Sequence, residues 1–99
     1  MNLPSNKDEL VTQLHQQIDE ASRNIDELKL QANLAKAEAR SAFEANIATL
    51  ESQKVKLQEQ VNHLKHSTDN AWQELAEGCQ KSWHEFQSAV QKAIAQFKA

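Results

Sequence analysis

The chain has almost nothing with which to turn. Its 99 residues include one Gly, one Pro and one Cys, and the Pro stands at position 4. Tight turns draw on Gly, Pro, Asn or Asp for their unusual backbone angles, so a fold with many loops is excluded. Residues that favour strands are equally scarce, with three Thr, four Val, four Ile and no Tyr. A lone Cys forms no intrachain disulfide. Eleven basic residues stand against fourteen acidic ones, interspersed, for a net charge of −3. No basic cluster is present to neutralise a row of phosphates, so no nucleic-acid partner is expected. Apolar runs fall far short of the ~20 residues that span a bilayer. Met1 is followed by polar residues rather than a basic and then apolar leader, so a cytoplasmic location is expected.

Catalytic equipment is missing as well. There is no Gly-rich phosphate loop, and acid pairs such as Asp19-Glu20 and Asp26-Glu27 lie side by side without a cleft. His63 and His66 share a helical face, but two histidines three apart are a weak metal signal, and they read as solvated residues. A reactive thiol needs a cationic, partly exposed setting, whereas Cys79 lies in an apolar stripe with His84 turned to another side of the helix. Neither an enzyme nor a cofactor or metal site is expected.

What remains is helix. Ala, Leu, Glu, Gln, Lys and Arg dominate. Residues 1–5 form a lead-in, and Ser5 or Asn6 serves as a cap ahead of Asp8 and Glu9, whose charge suits a helix N-terminus. From there Val11, Leu14, Ile18, Ala21, Ile25, Leu28, Ala32, Ala35, Ala39 and Ala42 alternate at spacings of three and four, the mark of a heptad seam. His15 falls beside the seam, where it can meet acids across an interface.

The seam then slips by one residue near 39–47. It resumes as Phe43, Ile47, Leu50, Leu57, Val61 and Leu64, with Lys54 and Thr68 as polar interruptions, and continues to Ala71 and Leu75. Ala35, Ala39, Phe43, Ile47 and Leu50 follow a fifteen-residue, four-turn period, so supercoiling should relax there. Ser67 to Asn70 is the weakest helical stretch, costing on the order of 2 kcal/mol relative to Ala. The fold class expected is all-α, with a long coiled-coil helix over 6–66, a soft hinge at 66–70 and a second helical segment over 71–99. A two-helix antiparallel hairpin turning at the hinge is the alternative. A stripe of this kind cannot be buried by one helix alone, so self-association is expected, most simply as a homodimer, with a higher oligomer also open.

The last third carries an internal repeat. AWQELAEGCQK (71–81) aligns without gaps on SWHEFQSAVQK (82–92), and AIAQFKA begins a third copy. Eleven residues make three turns, so Trp72, Leu75, Cys79, Trp83, Phe86, Val90, Ile94 and Phe97 fall on one broad stripe. These residues are the candidates for binding a protein client, because large rigid apolar side chains dominate interfaces. Core packing is the plainer account of the same stripe. The alternative function is a peripheral lipid-surface or stress-protective amphipathic protein, since eleven-residue amphipathic repeats suit membrane surfaces. The spacing AW..L..G...SW..F..A, after a heptad region containing NIDEL and an Ala-rich middle, resembles a group of small bacterial coiled-coil-domain proteins whose function is not established. That resemblance implies an all-helical bacterial cytosolic protein and brings no catalytic residue with it.

Overall fold

The computed structural model describes residues 6–68 and 70–98. The lead-in 1–5, including Ser5, and Asp69 in the expected hinge lie outside the described residues. The protein is all-α, built from α1 (Lys7–Leu34), α2 (Ala37–Lys65) and α3 (Trp72–Lys98). Among the described residues there is no strand.

Helix α1 begins where the sequence places it. The Asn6 side chain accepts a hydrogen bond from the Glu9 backbone N–H at 2.8 Å, and Asp8 and Glu9 occupy the first turn. The unbroken helix expected from residue 6 to residue 97 is not what forms. The chain leaves helical geometry at Ala35 (φ −74°, ψ 156°) and Lys36 (φ −62°, ψ 150°), and again after Lys65. The second interruption coincides with the expected hinge. The first was not expected, and the two-helix hairpin foresees only one of the two reversals.

Tertiary burial overrides local preference at the first reversal. Each fully buried Leu or Ile contributes roughly 1.5–3 kcal/mol, while a lost backbone hydrogen bond costs about 1 kcal/mol net. Folding the chain back along α1 covers Leu10, Leu14, Ile18, Ile25 and Leu28, each at most 2 % exposed. The helix ends created there are patched. Ala35 N–H bonds to the Ala32 carbonyl, and the Arg40 guanidinium donates from Nη2 to the carbonyls of Asn33 (3.2 Å) and Ala35 (3.3 Å). The Lys36 carbonyl accepts the N–H groups of Ala39 and Arg40.

At the second reversal, Ser67 bonds the Leu64 carbonyl with both its N–H (3.1 Å) and its hydroxyl (2.6 Å). Thr68 offers its carbonyl to the N–H groups of Ala71 and Trp72, which starts α3. The Lys7 ammonium donates to the Ser67 carbonyl at 2.8 Å, tying the start of α1 to this turn. At the other end of the molecule the Phe43 and Phe97 rings lie 3.9 Å apart between centroids. The helices therefore run up, down and up in a bundle 51 × 21 × 16 Å, with α1 packed more extensively on α2 than on α3. A continuous core runs from Leu10 to Ala93, and no polar or charged residue is buried among the described ones.

Candidate interaction surfaces

The seam residues named from the sequence are buried against helices of the same chain. Val11, Leu14, Ile18, Ala21, Ile25, Leu28, Ala32, Ile47, Leu50, Leu57, Val61 and Leu64 are all covered, whereas Ala35, Ala39 and Phe43 stay partly exposed. No residue from 37 to 46 is fully buried, and in the first turns of α2, where the seam slips, Phe43 is partly buried against the core.

Helix α3 inserts most of its aromatic stripe into the bundle. Phe86, Cys79 and Val90 are buried, and Trp72, Leu75, Trp83, Ile94 and Phe97 are partly buried against them. The Trp83 and Phe86 rings sit 6.0 Å apart, inclined at 60°. The face turned inward follows Trp72, Ala76, Cys79, Trp83, Phe86, Val90, Ala93 and Phe97, a strict alternation of four and three. This heptad alternation runs beside the eleven-residue stripe, whose members are all buried or partly buried against the core. Ala76 and Ala93 are buried where the repeat points to Leu75 and Ile94, which lie at the margins. The alternation was present in the sequence, but the larger neighbours masked it. Leu10 was missed for a related reason. A helix packed against two others buries a wider stripe than a two-stranded seam, which brings the position before Val11 inside.

Two grooves flank α3. On the α2 side, Lys56, Glu59, Gln60 and His63 face Glu74, Leu75, Gly78 and Cys79 across an opening of about 450 Å³. Gly78 lies exposed in its wall. It sits in the interior of α3 with ordinary negative φ, and a Cβ built on it meets nothing within 4 Å. On the α1 side a smaller groove, about 210 Å³, runs between Leu10, Leu14 and Gln17 on one wall and Gln80, Trp83 and His84 on the other. Sequence reasoning did not find either groove, because each exists only where two helices pack side by side. Nor did it find the exposed apolar residues Leu30 (64 %), Leu34 (87 %) and Val55 (49 %), which lie off the seam.

Burial pushes the Cys79 thiol up, which makes it a poorer nucleophile than a free cysteine. The Lys29 ammonium is held above its ordinary value by its hydrogen bond to Glu51, against a smaller opposing effect of desolvation. That ion pair joins α1 to α2 at the surface, with Asp26 at 4.0 Å on the same helix. His15, His63, His66 and His84 are exposed. Among the described residues, no three His, Cys, Asp or Glu side chains gather as metal ligands, and no helix is long and apolar enough to cross a membrane. Gln53 Oε1 is buried without a hydrogen-bond partner in the wall of a further α2–α3 groove, beside Ser82 and Phe86. No family model, no curated protein and no solved structure matches this chain.

Proposed function

We propose that this chain is a non-enzymatic interaction protein that self-associates and docks a helical segment of a protein partner along α3, in the groove that Gly78 lines. One observation carries the reading. Gly78 costs helix stability yet relieves no crowding, and it stands in the wall of an open groove floored by Leu75 and Cys79. A groove between two helices accepts a third helix through side chains spaced three and four apart, which suits its length and mixed polar rim. The non-enzymatic part rests on the absence of buried charged residues among the described ones and on a thiol shifted away from reactivity. The lipid-surface alternative asks more of the molecule. Phe86 and Val90 face the core, so α3 has to leave the bundle before its apolar face meets a bilayer.

The test is crosslinking and affinity purification from source cells, comparing the parent with Gly78→Leu and Trp83→Ala. Leu at 78 fills the groove without disturbing the core. The expected result is a partner retained by the parent and lost by Gly78→Leu, with Trp83→Ala weakened. Identical partner sets for all three proteins would remove α3 as the docking surface.

A further inference from the structure

The α1–α2 reversal is built from residues that prefer not to turn. Ala35 and Lys36 are strong helix formers, and no side chain caps the start of α2. Neither has the positive φ that would demand Gly. The only side chain bonded across the elbow is Arg40. Beyond it, residues 37–46 carry no buried side chain, although Ala39 and Phe43 continue the apolar pattern.

The pattern on either side has a symmetry that a simple hairpin does not need. Ala35 and Phe43 lie four residues from Ala39, Leu28 and Leu50 lie eleven, Ala21 and Leu57 eighteen, and Leu14 and Leu64 twenty-five. The one-residue slip of the seam is what centres it on Ala39. In the folded chain the outer pairs of this series are buried. The inner ones, Ala35, Ala39 and Phe43, are partly exposed, with Phe43 packed on Phe97 of α3. Two straight helices lying antiparallel across a two-fold axis at Ala39 would satisfy every pair at once.

We infer that the α1–α2 elbow opens to one continuous helix over residues 7–65, and that two copies of the chain exchange α1 to form an intertwined antiparallel dimer. This rests on the self-association proposed above and gives its geometry. The occupant of the exposed face at the start of α2 is thus a second copy, and the new contact is continuous with the existing α1–α2 interface. Every helix–helix contact of the monomer is kept, with α1 now supplied by the other chain, as in domain exchange generally. The large ring of Phe43 meets the small Ala35 of the other copy, and Ala39 meets its own equivalent at the axis. The Phe43–Phe97 pair, at the open end of the monomer, comes to lie beside that axis.

Two substitutions pull the equilibrium in opposite directions. Lys36→Pro suits the elbow, since Lys36 already has φ −62° and the preceding Ala35 is extended, as a residue before Pro prefers. It blocks a straight helix. Arg40→Ala removes the elbow's side-chain bonds and leaves a helical sequence intact. Light-scattering mass is to be measured across dilute to concentrated samples of parent, Lys36→Pro and Arg40→Ala, with circular dichroism confirming that each is folded. The expected result is a concentration-dependent dimer in the parent, a tighter one in Arg40→Ala and a folded monomer in Lys36→Pro. Ala39→Cys in a Cys79→Ala background should then crosslink chain to chain under mild oxidation, and Lys36→Pro should abolish the crosslink. A folded Lys36→Pro that dimerises as well as the parent overturns the exchange while leaving self-association standing. Monomers for the parent and Arg40→Ala at every concentration overturn both.

Discussion

Replacing Gly78 with Ala should stabilise this protein, and the size of the effect follows from the structure. Gly in a helix interior is about 0.8–1.0 kcal/mol less favourable than Ala, because it loses more backbone freedom on folding. That gain is often cancelled by crowding, but the new Cβ at 78 meets nothing within 4 Å. The backbone there has no positive φ to resist the change. The full helix-propensity gain of about 1 kcal/mol should therefore appear, raising the melting midpoint by roughly 4–8 °C for a domain of this size. Urea and thermal unfolding followed by far-ultraviolet circular dichroism measure it. Gly78→Leu should keep most of the gain, because Leu is nearly as good a helix former as Ala, while filling the groove between α2 and α3. Stability and docking would then move in opposite directions, as they do where a site holds a locally unfavourable residue for function. A Gly78→Ala protein no more stable than its parent would refute the reasoning, since it would mean that the position is either crowded or not helical.

Phe86→Ala should cost about 3–5 kcal/mol, because the ring is 2 % exposed in the centre of the core, whereas Val55→Ala on the outer face of α2 should cost little or nothing; equal losses in urea titrations would remove the core described above. Gln53→Met should gain about 1 kcal/mol by removing a buried acceptor that has no partner, and a loss in the same assay would show that the amide is bonded in solution. Cys79 should react with a thiol reagent far more slowly in the native protein than in denaturant, since it is 2 % exposed. Its raised value in the folded state means that its contribution to stability is complete below the ordinary thiol range and is lost as pH rises from there through the raised folded value; a Cys79→Ala variant with the same alkaline sensitivity as the parent would contradict this.

How much of this was legible before the structure depends on the kind of residue asked about. The Asn6 cap is written locally, in a side chain three residues before the N–H it accepts. The seam from Val11 to Ala32 is written in period alone, and period survives whichever surface ends up covering it. Leu10 is different, because its burial requires a third helix, and the heptad frame cannot reveal how many helices will pack. The weak stretch at Ser67 to Asn70 was visible as low helix propensity, and a reversal does occur there. At Ala35-Lys36 nothing was visible, since the residues that turn are the residues that elsewhere continue a helix. In α3 the repeat picks out Leu75 and Ile94, which are partly buried, and misses Ala76 and Ala93, which are buried. Both grooves escaped for want of contact information between helices.

The elbow also sets the scale on which exchange should occur. Two helices joined by two residues see each other at an effective concentration on the order of millimolar. Since the exchanged pair repeats the same helix–helix contacts, the difference between monomer and dimer reduces to the elbow and to the new contacts around Ala39. An interrupted helix leaves carbonyls at one end and N–H groups at the other without intrahelical partners, and the bonds from Ala35 and Arg40 recover only some of them. Taking two further bonds at about 1 kcal/mol each, straightening returns about 2 kcal/mol per chain. For two chains that is about 4 kcal/mol, or roughly a thousandfold, which moves a millimolar balance point to micromolar. Pro at position 36 of a continuous helix costs about 3 kcal/mol or more per chain, which more than reverses the gain and returns the balance beyond any workable concentration. The exchange is therefore expected as a micromolar equilibrium that Lys36→Pro abolishes, because the two arrangements differ only at the elbow and around Ala39.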